Sequence, residues 1–269
     1  MSSGISGQSR RELAAVTGRG LRLVHVDETA RALGIDRVEA AKKLARWAEQ
    51  GWLRRVRRGL YVPVPVDADQ PNLWSEDPLV LADEVWAPCY FTGWTAANHW
   101  GLTEQIFRTT VVRTASRVRR IHERLLEHEY LLSHVNEHAL GWGLRKVWRQ
   151  ERAVRMADPA RVIIDSLDDP RLSGGIRHVS EMLVAYLAEH EPQLLVDYGD
   201  RAGNRTVFKR LGYLAAICAP AEAVLLVEEA RRRLPSGVTL LDPSAPPRGQ
   251  LDHQWRLRIN VHVEPSSTS

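Results

Sequence analysis

The chain of 269 residues has little cysteine and no long apolar run. Its two cysteines, Cys89 and Cys218, are too few for a disulfide framework or for a zinc site by themselves. No apolar stretch reaches the roughly 18–20 residues that a membrane-spanning helix needs. The start of the chain is rich in Ser and Gly and has no apolar centre, so we expect no secretory signal. These absences predict a cytoplasmic protein with two reduced, buried thiols and no membrane partner.

Motifs of the common catalytic sites are also absent from the sequence. No Ser or Cys lies in a Gly-x-Ser-x-Gly context, and 199–203 (GDRAG) lacks the Lys-Ser/Thr ending of a phosphate loop. Asp165, Asp168 and Asp169 could share one helical face, as an acid/base or metal pair would, but the last two also form an ordinary helix-ending turn with Pro170. Four histidines lack a metal-ligand spacing: His122, His128, His134 and His138. We therefore expect no catalytic residue, no cofactor, no metal and no enzymatic activity; an enzyme with an unrecognised C-terminal site is the less favoured alternative.

The net charge of +4 is unevenly distributed along the chain. Residues 1–62 hold 13 Lys and Arg against 6 Asp and Glu, a net of +7, and the remainder carries a net of −3. A basic segment joined to a mildly acidic body suggests a polyanion-binding module with a second domain. Between them, 63–71 (PVPVDADQP) has the prolines and acids of an exposed linker. The predicted organisation is a flexible N-terminus at 1–9, a DNA-binding domain at 10–62, a linker at 63–75, a C-terminal domain at 76–263 and a flexible tail at 264–269.

The basic segment has the element order of a winged helix-turn-helix. Asp27 and Asp36 suit helix N-caps, and Gly34 and Gly51 suit helix ends. A strand pattern on either side of an Arg-Arg-Gly turn then predicts a hairpin. The predicted elements are helices at 10–16, 28–33 and 37–50, followed by strands at 52–56 and 60–62 around a turn at 57–59.

The third predicted helix suits the major groove of B-DNA. Leu44 and Trp47 mark its buried side, so small and basic residues lie opposite. Val38 or Ala41 is placed to contact a thymine methyl group, whereas Lys43, nearer the buried edge, suits a phosphate. The candidate DNA-binding residues lie on this helix and on the hairpin: Arg37, Val38, Ala41, Lys42, Lys43, Arg46, Arg54, Arg55, Arg57 and Arg58.

The four hairpin arginines are expected mainly to contact phosphates, which gives affinity and salt dependence, while the helix contacts base edges and gives specificity. Two alternatives are a protein-interaction winged helix with a solvated basic surface, and an RNA-binding module. RNA binding is less favoured because Trp47 and Trp52 lie at core positions and are poor stacking platforms for unpaired bases.

The part beyond the linker mixes helical and strand patterns, which predicts an α+β fold of unspecified topology. In 255–263, five apolar residues alternate strictly with polar ones, the clearest strand pattern in the chain. The other predicted elements are helices at 78–85, 95–100, 159–167, 176–188, 206–217 and 220–234, a strand at 110–113 and further strands within 119–156.

Six phrases in order along the chain carry a family resemblance. They are 51–61 (GWLRRVRRGLY), 77–78 (DP), 91–102 (FTGWTAANHWGL), 157–167 with its ADP and IDSL, 209–214 (KRLGYL) and 255–260 (WRLRIN). Their order and spacing over residues 10–263 resemble the AbiEi antitoxins of type IV toxin–antitoxin systems.

This resemblance implies an N-terminal winged helix that binds inverted repeats in double-stranded operator DNA and represses its own operon. It also implies a C-terminal antitoxin domain that counteracts a nucleotidyltransferase-like toxin, with or without binding it directly. A stand-alone winged-helix regulator of the same architecture is the alternative. In the C-terminal domain we expect Asp165 to make fold contacts, Leu211 and Leu214 to lie in the core, and Arg210 to be a surface charge.

Overall fold

A computed structural model describes residues 7–18, 23–65, 76–149, 152–219 and 223–264. The chain divides into two compact units, Met1–Glu84 with Arg124–His128, and Val85–Glu123 with Glu129–Ser269. Several predicted segments lie outside the described residues: 1–6 of the flexible N-terminus, 66–75 of the linker, 220–222 of the last predicted helix and 265–269 of the tail.

The first unit contains three helices and a hairpin in the predicted order. A short strand that the sequence did not indicate completes a three-stranded antiparallel sheet of order β1-β3-β2. The first helix begins at Gly7, within the segment expected to be flexible. The elements are α1 (Gly7–Thr17), β1 (Val24–His25), α2 (Val26–Leu33), α3 (Arg37–Glu49), β2 (Leu53–Arg57) and β3 (Leu60–Pro63).

Helix α3 begins and ends where its sequence signals predict. The Oδ1 of Asp36 accepts hydrogen bonds from the backbone N–H groups of Val38 and Glu39, at 2.7 and 2.8 Å. These bonds satisfy two of the donors that a helix start leaves free. Gly34 ends α2 in the left-handed conformation, with a φ of 65°. The predicted cap of α2 is displaced, because that helix begins at Val26 and its Asp27 lies in the first turn.

The core of the first unit is the buried face of α3 packed on α2 and the sheet. Trp47 is 1% exposed and Leu44 is fully buried, and Trp52 packs against the same cluster, which confirms their predicted core positions. Burying a large apolar side chain contributes about 1.5–3 kcal/mol, so these residues fix which face of α3 is left outside. The cluster consists of Val24, Val26, Ala40, Leu44, Trp47, Leu53 and Tyr61.

A six-stranded mixed sheet runs through the second unit. Its strands are ordered β6-β7-β5-β4-β9-β8. The pairs β5–β7 and β4–β9 are parallel, whereas β4–β5 and β8–β9 are antiparallel. The strands are β4 (Cys89–Phe91), β5 (Thr109–Thr114), β6 (His122–Leu125), β7 (His128–His134), β8 (Leu144–Arg149) and β9 (Arg152–Ala157).

Helix α6 is the centre of the helical layer of the second unit. Every residue from Ala160 to Leu167 is buried, and Asp158 caps the helix through the backbone N–H of Arg161 at 2.9 Å. Both cysteines are buried and neither forms a disulfide with a described residue, as predicted. Helix α4 (Pro78–Trp86) begins in the first unit and ends in the second. The helices that lie within the second unit are α5 (Gly93–His99), α6 (Pro159–Asp168), α7 (Ile176–Glu189), α8 (Gln193–Arg201), α9 (Thr206–Cys218) and α10 (Val224–Arg232).

Helix α8 was not predicted from the sequence, because a glycine inside it weakens the helical pattern. Gly199 is required because no side chain fits at this position: a Cβ would lie 2.6 Å from the ring of Phe208 on α9. The close approach of the two helices therefore requires a residue without a side chain.

The predicted strand at 255–263 is wrong over most of its length. Only Leu257–Ile259 forms a strand, β12, between β10 (Thr239–Leu240) and β11 (Gln250–Asp252). Trp255 is buried in a turn, and its ring occupies the place of a Cβ at Gly212. Beyond β12, the side-chain amide of Asn260 donates to the backbone carbonyl of Asp242 at 2.7 Å.

The expected surface position of Arg210 is also wrong. Its side chain is buried and donates to the backbone carbonyls of Leu241, at 2.9 Å, and Leu167, at 2.6 Å. Backbone carbonyls are strong acceptors, so they compensate a buried guanidinium that pairs with no carboxylate in the described part of the chain. The expected core positions of Leu211 and Leu214 are confirmed, since both are fully buried.

Candidate nucleic-acid interface

The outer face of α3 combines an exposed apolar side chain with two exposed cations. Val38, in the first turn, is 65% exposed, and Lys42 and Arg46 follow it along the same side of the helix. Neither cation forms a hydrogen bond or ion pair with another described residue. Ala45 is exposed between them, so a short side chain lets a ligand approach the helix backbone. The helix is therefore free to present these groups to a polyanion.

Two candidate residues of α3 face the unit itself. Ala41 is half-buried and packs against the core cluster, whereas the sequence placed it on the outer face. The ammonium group of Lys43 lies 2.6 Å from Oε2 of Glu12 on α1. This hydrogen bond to Lys43 is the main cause of the lowered pKa of Glu12. The side chains of Ala41 and Lys43 therefore contribute to packing within the first unit and do not lie on the outer face of α3.

Arg37, at the start of α3, takes part in a surface ion pair. Its Nε lies 3.2 Å from Oδ1 of Asp27 on α2, and both side chains are largely exposed. Exposed pairs of this kind contribute little stability, about 0–1 kcal/mol. A phosphate could therefore displace Asp27 from Arg37 at small cost.

The hairpin presents three unpaired arginines and one paired one. Arg55, Arg57 and Arg58 are exposed and make no side-chain hydrogen bond or ion pair with the described residues. Arg54 differs, because its Nη2 lies 2.9 Å from Oε1 of Glu127, a residue of the first unit. No local sequence pattern marks this pair or the pair of Glu12 with Lys43, since each joins residues far apart in the chain.

A β-bulge sets the exposure of the hairpin arginines. Strict alternation from the buried Leu53 would turn Arg55 and Arg57 toward the core face. The pairing register shifts between Arg55 and Arg57, which buries Val56 and leaves both arginines exposed. A bulge adds one residue to one strand and so changes which side chains point outward. The turn closes at Gly59, whose φ is 75°.

The acids considered for catalysis are engaged in ion pairs in the second unit. Asp165 is buried, and its Oδ1 accepts from Arg113 at 2.7 Å and from Arg161 at 2.8 Å. Burial opposes ionisation, but the two guanidinium groups outweigh it and lower the pKa of Asp165. Asp168 accepts from Arg113 at 2.7 Å, and Asp169 pairs with the neighbouring Arg171 at 2.8 Å.

This arrangement explains how Asp165 serves the fold. Its other oxygen accepts from the hydroxyls of Tyr90 and Thr92, at 3.0 and 2.8 Å, so the carboxylate joins α6 to strand β4. Among the described residues, no group of three or more His, Cys, Asp or Glu side chains is arranged to hold a metal ion.

No helix in the described part of the chain is long and apolar enough to cross a membrane.

Residues 10–64 of the chain are similar to a class of transcriptional regulators. More narrowly, these residues match the family described as "Transcriptional regulator, AbiEi antitoxin", and they include α3 and the hairpin. The match confirms the AbiEi resemblance over this segment and supports the coarse role of an antitoxin-type regulator. Comparison with curated proteins gives no match.

The fold of almost the whole chain has a solved counterpart. The crystal structure of the RV2827C protein from Mycobacterium tuberculosis superposes with a TM-score of 0.61 at 16% identity, covering 94% of this chain and 92% of that one. At this identity the likeness concerns the fold alone, which is a mixed α/β architecture.

Proposed function

We propose that the chain is a DNA-binding transcriptional autorepressor whose first unit acts as a winged helix-turn-helix. The observation that carries this proposal is the set of exposed cations that make no side-chain pair with any described residue: Lys42 and Arg46 on α3, and Arg55, Arg57 and Arg58 on the β2–β3 hairpin. The proposed ligand is a double-stranded operator with inverted repeats upstream of the chain's own operon, as the resemblance to AbiEi antitoxins implies; the match of residues 10–64 to a family of transcriptional regulators supports a role in DNA binding. Val38, Lys42 and Arg46 face the major groove, while Arg55, Arg57 and Arg58 contact phosphates.

The decisive experiment replaces four exposed cations at once. A variant with Lys42→Ala, Arg46→Ala, Arg57→Ala and Arg58→Ala should bind the upstream DNA about 100-fold more weakly at physiological salt, with a flatter salt dependence. Binding is measured by fluorescence anisotropy over a salt series and by footprinting.

The matched control loses the same charge from exposed arginines of the second unit. It carries Arg117→Ala, Arg119→Ala, Arg120→Ala and Arg248→Ala, and it should bind the operator as the parent does. Operator binding by the first variant at parental strength would refute the proposal; equal weakening by both would reduce it to non-specific charge attraction.

The C-terminal part, in this proposal, counteracts a nucleotidyltransferase-like toxin in the cytoplasm. The test co-expresses the neighbouring toxin with the parent or with the four-residue DNA-binding variant. Rescue of growth by both would separate the antitoxin role from repression, and absence of rescue by the parent would leave a stand-alone regulator. Co-elution with the toxin indicates direct binding, whereas separate elution together with rescue indicates indirect neutralisation.

We propose no catalytic activity for the chain. The pairing of Asp165 with two arginines and of Asp168 with one supports this, because a carboxylate held by a guanidinium group is a poor base and a poor metal ligand. Loss of the antitoxin effect in a correctly folded Asp168→Asn variant would favour an enzyme instead.

A further inference from the structure

The second unit contains a cavity that the proposed function does not use. It has a volume of about 480 Å³, within the roughly 300–1,000 Å³ range of small-molecule sites. Its walls come from β5, from the segment after β7, from α6 and from the end of α8. The cationic side chains are Arg113 and Arg161 in its buried part and Arg201 in its exposed part, and His134 and His138 are also exposed there.

The acids of the cavity are already satisfied by the protein. Each oxygen of Asp165 accepts two hydrogen bonds, from Arg113 and Arg161 and from Tyr90 and Thr92. Both oxygens of Asp168 are engaged as well, one with Arg113 and one with Asn204 at 2.7 Å. The carboxylates therefore have little capacity left for a cation.

The side chains of the cavity, in contrast, include donors that have no acceptor among the described residues. In the described part of the chain, five buried side-chain nitrogen or oxygen atoms have no hydrogen-bond partner. Three of the five belong to side chains of this cavity: Nε of Arg113, Nε1 of Trp142 and Nη1 of Arg161. All three are N–H groups. An unsatisfied buried donor costs about 1–3 kcal/mol, so three of them at one cavity indicate that an acceptor belongs there.

The surrounding contacts hold these donors in place. The guanidinium of Arg161 stacks over Trp142, 3.3 Å from the ring centroid, while its Nη2 donates to the hydroxyl of Tyr90 at 2.8 Å. Trp142 in turn packs edge-on against Tyr198. Such fixed, charged donors are what recognises an anion with several oxygens.

We infer that this cavity binds an oxyanion, namely a phosphate group, either free or carried by a small molecule. Its oxygens accept from the free N–H groups of Arg113, Trp142 and Arg161, and the exposed Arg201 supplies further positive charge. A phosphate offers several acceptor oxygens and a charge that an excess of cationic side chains would balance.

The test titrates the full-length protein with inorganic phosphate by calorimetry, at constant ionic strength and in a phosphate-free buffer. Three variants are compared with the parent. Trp142→Phe removes one free N–H while keeping a ring under Arg161, Arg201→Gln removes an exposed charge of the cavity, and Arg205→Gln removes an exposed charge nearby that does not line it.

We expect one phosphate per chain, bound about tenfold or more weakly by Trp142→Phe and by Arg201→Gln and equally well by Arg205→Gln. Absence of phosphate binding by the parent would overturn the inference, and so would binding that neither cavity variant weakens. A thermal melt of each variant without phosphate verifies that it is folded.

Competition identifies the source of the phosphate. Displacement of phosphate by a nucleoside monophosphate, with the same dependence on Arg201, supports a phosphate ester as the ligand; binding of inorganic phosphate alone supports the free anion. Operator binding by Arg201→Gln should equal that of the parent, so this site and the DNA-binding proposal fail independently.

Discussion

The Nζ of Lys43 lies 2.6 Å from Oε2 of Glu12, so an ion pair joins α3 to α1. Both side chains are about three-quarters buried, and the ammonium group also lies 5.9 Å from the ring centroid of Trp47. Neighbouring lysines of α3 thus have different surroundings, because Lys42 is exposed and Lys43 is held within the unit.

Replacing each of these lysines by methionine should separate stability from DNA binding. Lys43→Met loses the pair with Glu12 and should lower the free energy of unfolding by about 0.5–1 kcal/mol, with the salt dependence of DNA binding unchanged. Lys42→Met should leave stability unchanged and weaken operator binding about tenfold, as expected for the loss of a major-groove contact. Denaturant unfolding and anisotropy titrations measure the two quantities; a reduced salt slope for Lys43→Met would contradict the assignment.

Removing the N-cap of α3 should loosen the helix that faces DNA. Asp36→Ala deletes both capping hydrogen bonds and should destabilise the first unit by about 1 kcal/mol. Asp27→Ala is the control, since this acid makes no cap and its ion pair with Arg37 is exposed. Urea unfolding followed by tryptophan fluorescence compares the two, and equal losses would show that the cap contributes nothing specific.

Val38 should contribute sequence preference rather than charge. Its exposed methyl groups suit a thymine methyl, and burying one such group contributes about 1 kcal/mol. Replacing each operator thymine by uracil should therefore weaken binding of the parent about fivefold at one position per half-site. The Val38→Ser variant should not respond to that replacement. An identical response of parent and variant at every position would exclude the contact.

Asp165 should be essential for the stability of the second unit. Asp165→Asn leaves the buried Arg113 and Arg161 short of a counter-charge and should cost about 3–5 kcal/mol. Since arginines hold the pKa of Asp165 below its ordinary value of about 3.9, its contribution is complete above that pH. The contribution is then lost as the pH falls through the lower, folded-state pKa.

Acid unfolding followed by circular dichroism measures this dependence. The matched control is Asp200→Asn, which removes the more exposed ion pair between Asp200 and Arg233. This variant should lower the free energy of unfolding by only about 0–1 kcal/mol. Unfolding of Asp165→Asn at the parental denaturant concentration would contradict the role assigned to the carboxylate.

The sequence was most informative where structure depends on neighbours in the chain. The cap at Asp36, the helix end at Gly34 and the turn at Gly59 follow from local backbone requirements, and the structure has all three. The exposed face of α3 followed from the spacing of Leu44 and Trp47. What local signals could not give were the partners of Lys43 and Arg54, since these lie on other segments.

The second unit was less predictable because long-range contacts decide it. Arg113 and Asp165 meet across 52 residues of sequence, and no local pattern marks either of them as a partner. Arg210 was predicted to be a surface charge because the acceptors that allow its burial are backbone carbonyls, which leave no pattern in the sequence. The alternation in 255–263 favoured a strand, but the ring of Trp255 packs directly against Gly212, a long-range contact that the alternation does not indicate.

The bulge between Arg55 and Arg57 makes the outward charge of the hairpin depend on the number of residues in β2. Deleting Val56 would restore simple alternation, while leaving every arginine in the sequence. Such a hairpin would have the same formal charge, yet Arg55, two residues after the buried Leu53, would turn toward the core face. Insertions and deletions in this strand should therefore be tolerated far less than arginine-to-lysine exchanges at its exposed positions.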